Sequence, residues 1–424
     1  MLRADPIPAE TLPRQSAPSK PSVLRRLWRL IPQHTRMQIQ SDVTRMIAPK
    51  PDPNTAGGLP LGIAGLFSTA SGIGEGARLG YAALDAAGLK PTAFDLSRTF
   101  GQSEFNGHAA RRPLMPGAGG SIIVHHNAPF VPHALWALGR ERIAGRRIIG
   151  YWAWELPRVP KVWLPGLRFV HEIWVPSGFT RDAVAAATDL PVHVVPHPLT
   201  AMPVTPGMRA RLGLPEQALV VLNVFHLGSA FSRKNPLAAV AAFRKAFGDD
   251  PNRILAIKLI DNGSAHDARR ELDAAIAGAG NIRLIEGMLP EADMAGLMQA
   301  ADIVISLHRS EGFGLVPAQA MALGKPVVAT GWSGNLEFMN DGNSALVRYS
   351  LVPVGNSDSA FDEADQRWAD ADVDHAAEWL RRLAADESLR HRLGATASAD
   401  VNDLLSADKF AQRVVSLLES GKNR

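Results

Sequence analysis

The densest run of residues able to hold a charged, hydroxyl-bearing ligand is the loop that carries Glu311, Gly312, Phe313, Gly314 and Leu315. Glu311 offers a carboxylate. The four amides that follow precede or open a helix, where backbone N–H groups can cup an anion or a sugar oxygen. Gln319 comes eight positions after Glu311, about two turns on if the helical path is continuous. Arg233 and Lys234 form a second cluster, at the start of another expected helix. The helix dipole disfavours cations there, so a bound anion would explain them; the alternative is a solvated basic pair.

Three other places carry candidate chemistry. Gly72-x-Gly74-x-x-Ala77 has Asp95 about twenty residues further on, which matches a variant dinucleotide-binding fingerprint. On its own that loop suggests an NAD(P)-dependent oxidoreductase. His125-His126-Asn127 closes a buried strand, where polar side chains point into the ligand crevice. His126 is the favoured member, against a hydrogen-bonded structural histidine. Trp152 and Trp154 alternate with Ala153 just before Glu155. These rings either stack on sugar faces at an acceptor rim centred on Glu155, or fill a core. The Asp-x-Asp strings within Asp370–Asp374 read as acidic first-turn residues of a helix, and no metal or other cofactor is expected.

These residues need a frame. ADIVISL (Ala301–Leu307) is a buried strand, LVPAQAMAL a helix ended by Gly324, and KPVVAT the next strand, followed by the glycine-bearing loop GWSGN. The same alternation begins at LGIAGLF (Leu61–Phe67), with a loop STASGIGEGA and a helix from Gly76. It continues through SIIVHH and RIIGYWAW, the latter a strand ending at Glu155. Alternating βα units predict two doubly wound α/β domains. The expected division is a flexible basic extension (1–57), a first Rossmann-like domain (58–205), a second Rossmann-like domain (206–400) and a C-terminal helix (401–424). Thr200–Gly207, punctuated by Pro and Gly, reads as the link. The polar stretch after Arg348 reads as a long loop.

At 424 residues the chain suits two domains rather than one core. With no cysteine there is no disulfide and no thiolate metal site, which suits the cytoplasm. The net charge of +4 is no argument for nucleic acid. No apolar run approaches the ~20 residues of a membrane span, and no signal peptide is read. Up to Lys50 there are nine Lys/Arg against three acidic residues. Within this part, Ser22–Ile31 reads either as a basic amphipathic helix touching anionic lipid at the inner membrane face or as a flexible tail.

The stretch from Glu311 through position 319 to PVVAT and the glycine-rich turn resembles family 4 of the retaining nucleotide-sugar glycosyltransferases, which have the two-domain GT-B fold. That family carries Glu-x7-Glu; here the second position is Gln319, a departure that keeps hydrogen bonding but loses a carboxylate. The resemblance implies that Glu311 contacts the donor sugar and position 319 the nucleotide ribose. It places Lys234, with Arg233, Ser229 and the amides of Gly312 to Leu315, at the donor diphosphate. Gly72, Gly74, His126, Trp154 and Glu155 then shape the acceptor side, with His126 beside Glu311 and Lys234 in the catalytic set. The implied reaction is metal-independent transfer of a hexose-type sugar to a glycan or lipid-linked glycan hydroxyl. Likeness to bacterial mannosyl- and rhamnosyltransferases in YWAWELP and RKNP makes mannose or rhamnose the expected sugar. A non-catalytic sugar-nucleotide-binding protein is a further alternative, motivated by Gln319.

Overall fold

Short runs of Val, Ile, Leu and Ala without polar alternation form strands buried on both faces, as a parallel sheet covered by helices requires. The computed structural model describes residues 42–102, 112–114, 116, 119–228, 230–261, 263, 265–355 and 365–421. Ser229 and Ser22–Ile31 lie outside the described residues.

The first sheet holds β1 (Leu61–Gly65), β2 (Thr92–Asp95), β3 (Ser121–His125), β4 (Arg147–Tyr151), β5 (Glu172–Val175) and β6 (Val192–Val194). It is parallel, in the order β2-β1-β3-β4-β5-β6. The second holds β7 (Leu219–His226), β8 (Arg253–Ile260), β9 (Ile282–Glu286), β10 (Ile303–Ser306), β11 (Val327–Thr330) and β12 (Ala345–Val347). It too is parallel, in the order β12-β11-β10-β7-β8-β9. The strand order reverses between β1 and β3, and again between β10 and β7. Open α/β sheets bind ligands at the carboxyl ends of strands beside such a reversal. Both reversals carry expected site residues: Gly72 and His126 in the first sheet, Arg233-Lys234 and Glu311 in the second.

The helices that position the site are α1 (Gly72–Ala86), α2 (Gly178–Ala185), α3 (Phe231–Lys234), α4 (Pro236–Phe247) and α5 (Leu315–Ala322). At the C-terminus, α6 (Ala407–Ser420) starts on Ser406, whose side chain caps the amide of Lys409. Its apolar face, Phe410, Ala411, Val414, Leu417 and Leu418, packs with Leu61, Ile63, Tyr81 and Ile123 of the first domain. The chain therefore returns to the domain in which it began. Phe410 is about nine-tenths buried in that contact. Phe410→Ala is expected to lower the unfolding free energy by about 3 kcal/mol, measured by urea denaturation.

Four local expectations are corrected. Gly72 and Gly74 lie inside α1, not in a loop before it, because Ser71 accepts the Gly74 amide (3.2 Å) and starts the helix there. Strand β4 stops at Tyr151, so Trp152 to Glu155 leave the sheet in an irregular path. The helix beyond Glu311 begins only at Leu315, after Gly314 turns left-handed (φ 95°), so the path to Gln319 is not continuously helical. After Arg348 the chain forms an antiparallel pair, Tyr349–Pro353 with Arg367–Ala371, anchored by buried Trp368. Thr200–Gly207 carries no helix or strand. No helix among the described residues is long and apolar enough to cross a membrane.

Candidate active site

Arg233 and Lys234 are held by backbone that only a few residues tolerate. Ala230 and Asn235, on either side of α3, are both left-handed (φ 51° and 50°). Asn235 donates its side-chain amide to the Leu307 carbonyl (3.1 Å), and Pro236 starts α4. The turn after β7 is thus tied to the exit of β10. The Arg309 amide donates to the Arg233 carbonyl (2.7 Å), closing the same link from the other side.

Glu311 receives both cations. Lys234 Nζ lies 2.6 Å from Oε1, and Arg233 Nη1 lies 3.4 Å from Oε2. Arg233 also donates to the Ser310 carbonyl (2.8 Å). Burial pushes the Glu311 carboxyl up, but Lys234, Arg233 and His308 outweigh it and bring its pKa to about 2. It is ionised at any physiological pH. A loop beside it fixes its backbone: the Glu311 amide donates to Ser333 Oγ (2.9 Å), and its carbonyl accepts the Gly334 amide (2.9 Å). A Cβ on Gly334 would stand 2.2 Å from the Gly312 carbonyl oxygen, so only glycine permits this crossing.

The amides of Gly312, Phe313, Gly314 and Leu315 come before the first bond of α5, from Ala318 N–H to the Gly314 carbonyl (3.0 Å). Helix geometry leaves amides at such a terminus for an external acceptor. Phe313 is no ligand platform. It is buried between His197 and Phe338, with centroids 5.1 and 5.0 Å away, and wedges the loop in place. Gln319 is half-buried on α5, and its side chain makes no hydrogen bond to the described residues.

The first domain meets this loop directly. Ser177, at the start of α2, donates to the Gly312 carbonyl (2.6 Å), Thr180 donates to the same carbonyl (3.3 Å), and Ser310 donates to the Glu155 carbonyl. Glu155 Oε1 stands 3.6 Å from Arg233 Nη2. Glu155 is therefore not at the centre of an aromatic rim; it joins the cations after β7. Burial raises its pKa, Arg233 opposes that shift, and Glu311 adds to it. Trp154 is likewise corrected. It is buried, packs on Trp163 (5.0 Å) and donates its indole N–H to the Arg158 carbonyl (2.8 Å), so it belongs to the core with Trp152. A pocket of about 330 Å³ opens beside the loop between Phe179 of the first domain and Trp332, Leu336 and Glu337 of the second.

His126 is buried against Phe100 (4.8 Å) and Phe130 (4.4 Å). Burial, with His133 nearby, brings its pKa to about 3, so it is a neutral imidazole. Its Nδ1 accepts the Asn127 amide (2.9 Å), which puts the proton on Nε2. That Nε2 has no hydrogen-bond partner among the described residues. Gly74 packs tightly: a Cβ would stand 2.6 Å from the carbonyls of Leu66 and Thr69. At Gly72 a Cβ would meet nothing within 4 Å. Asp95 accepts bonds from Ser68 Oγ (2.5 Å) and Ser97 Oγ (2.6 Å), which occupy the carboxylate a dinucleotide ribose would need. Asp370 pairs with Arg309, and Asp372 caps the amide of His375 as it pairs with Arg348.

Three site residues escape a reading by motif. His308, fully buried, lies 3.1 Å from both Ser306 Oγ and Asn335 Oδ1, and burial lowers its pKa. Asn335 and Ser333 belong to the GWSGN loop, where the glycines were a visible signal that the chain must pass close to something.

A sequence model described as Family 4 Glycosyltransferase in conflict systems matches residues 184–401. Curated relatives include D-inositol 3-phosphate glycosyltransferases. That of Acidothermus cellulolyticus is 29% identical over 240 residues, 54% of this chain and 51% of its own length. That of Stackebrandtia nassauensis is 31% identical over 233 residues, 50% of this chain and 47% of its own. The chain thus spans about half the length of these relatives. Among solved structures, Anabaena HepE in complex with UDP and glucose superposes with a TM-score of 0.59 at 16% identity, over 85% of this chain and 99% of that one. Sucrose-phosphate synthase from Thermosynechococcus elongatus gives 0.64 at 16% identity, over 85% and 98%. These likenesses establish the GT-B fold, and with a family model spanning half of its residues the chain belongs to the family 4 glycosyltransferases.

Proposed function

We propose that the chain transfers a hexose-type sugar from a nucleoside diphosphate donor to a hydroxyl, with retention and without a metal. The observation that carries this reading is the pairing of Lys234 and Arg233 with Glu311 where the order of the second sheet reverses. Breaking a sugar–phosphate bond leaves a doubly charged nucleoside diphosphate, and fixed cations in a water-poor site stabilise the charge as it develops. In this reading Arg233, Lys234 and the amides of Gly312 to Leu315 hold the diphosphate. Glu311 holds the donor sugar through its hydroxyls, and Gln319 reaches the ribose. The leaving phosphate takes the acceptor proton, so no protein nucleophile is needed. In this reading Gly72 and His126 lie on the acceptor side, Gly72 at an open position and His126 as a buried imidazole whose Nε2–H has no partner among the described residues.

The test is thermal unfolding with GDP, UDP, dTDP and NADH, each with and without EDTA. A ligand at ~100 times its dissociation constant adds about 2.7 kcal/mol. One nucleoside diphosphate is expected to stabilise the protein regardless of EDTA. Stabilisation by NADH alone would sink the reading. The acceptor panel, run with the donor so identified, includes glycan hydroxyls and inositol 3-phosphate, the latter because of the relatives' names. Donor binding without transfer to any acceptor would instead favour a sugar-nucleotide-binding protein.

A further inference from the structure

We propose that binding of the donor diphosphate at Arg233 and Lys234 is coupled to uptake of one proton from solvent by Glu155. This rests on the donor-site reading above.

The reason is charge. Without donor, the cluster holds the cations Arg233 and Lys234 and the carboxylates Glu311 and Glu155. It is balanced. A diphosphate adds negative charge to a site enclosed by both domains, where Ser310 donates to the Glu155 carbonyl and Ser177 to that of Gly312. Like charges in such a place cannot all remain ionised, and one carboxylate must be neutralised or leave. The other titratable neighbour, His308, is fully buried, with both ring nitrogens engaged by Ser306 Oγ and Asn335 Oδ1 and its pKa lowered by burial, so Glu155 is the readier proton acceptor.

Geometry selects Glu155. Glu311 keeps a 2.6 Å contact with Lys234 and a second contact with Arg233. The one ion pair of Glu155 among the described residues is the looser 3.6 Å contact with Arg233, with Lys234 acting on it from farther off and a local backbone hydrogen bond to its carboxylate. A phosphate oxygen that takes Arg233 removes the one cation in contact with Glu155. The backbone of Glu155 stays pinned by Ser310, so its side chain remains facing the new charge. Its pKa is already raised by burial and by Glu311, against the pull of Arg233 and the weaker pulls of Lys234 and a backbone hydrogen bond. Losing Arg233 to the ligand moves it further in the same direction. A proton then passes from solvent to a Glu155 carboxylate oxygen, and no other bond changes.

Titration calorimetry in buffers of different ionisation heat tests this from pH 5 to 9. The probe is whichever of UDP, GDP or dTDP gives the largest thermal shift. At its maximum the wild type is expected to take up about one proton more than Glu155→Gln. Its affinity should also fall about tenfold more steeply per pH unit in that range. Comparing the two proteins cancels the titration of the nucleotide itself. Equal proton counts at every pH would overturn the inference and leave the donor site standing. If none of the three nucleotides bound, the donor-site reading would fall and this with it. An infrared difference spectrum of the wild type needs no variant: a new carboxylic-acid C=O band on binding is expected, and its absence would overturn the proposal.

Discussion

Lys234→Ala is expected to lower kcat/KM for sugar transfer at least about a hundredfold, the scale of losing one electrostatic partner of a transition state. Lys234 is the cation in tightest contact with Glu311 and is about one-quarter exposed, so a ligand can reach it. Its removal acts twice. The diphosphate loses a fixed positive charge as it leaves, and Glu311 loses the largest of the attractions that hold its pKa near 2. Folding should suffer much less, because Arg233 still faces Glu311 at 3.4 Å and covers the carboxylate. The measurement is therefore paired: steady-state kinetics beside thermal unfolding without ligand. A variant with a near-normal rate would remove Lys234 from the site. One that lost both activity and fold would make it a structural residue. Lys234→Arg should restore only part of the rate, since a planar guanidinium cannot reproduce the position of a compact ammonium.

The frame of this protein was legible because its signals are local. Runs such as ADIVISL and LGIAGLF have no polar alternation and end at glycine or polar loops, which makes them buried parallel strands. Glu311 stood out for the same reason, as a lone carboxylate among glycines after such a strand. The arrangement of the site was less legible because it depends on contacts between distant segments. Nothing near Glu155 says that it will meet Arg233, since the pairing forms only when the first domain closes onto the turn after β7. The alternation of Trp152 and Trp154 fits a ligand platform and a core equally well. Packing against Trp163 decides between them, and that residue lies outside the motif. The strand pair after Arg348 was hidden by the exposure of Tyr349 and Leu351, whose pattern is that of a loop. His308 leaves no mark in spacing, because a buried histidine is set apart only by its surroundings; its partner Asn335 lies on the next loop.

Glu311→Gln should separate binding from turnover. Gln keeps the shape of Glu311 but removes one of the two carboxylates that face Arg233 and Lys234. The nucleoside diphosphate should therefore bind the variant at least as tightly as the wild type. Turnover should fall at least about a hundredfold, because the charge-assisted hold on the donor sugar is gone. A loss confined to KM would assign Glu311 to ground-state binding alone and contradict this role. Stability gives an independent readout. Glu311 has a pKa of about 2 in the folded protein, with burial opposing and the two cations and His308 favouring the ionised form. An unperturbed glutamate titrates near 4.3, so the wild type should exceed Glu311→Gln by about 3 kcal/mol at neutral pH. The sign follows from a depressed pKa: this contribution is complete above the unfolded value and shrinks as pH falls from about 4.3 towards 2. Urea denaturation at pH 7 and again at pH 3.5 should show the gap narrowing. A gap that stayed constant across that interval would mean that the cations do not hold the Glu311 charge. The catalytic case would then rest on Lys234 alone.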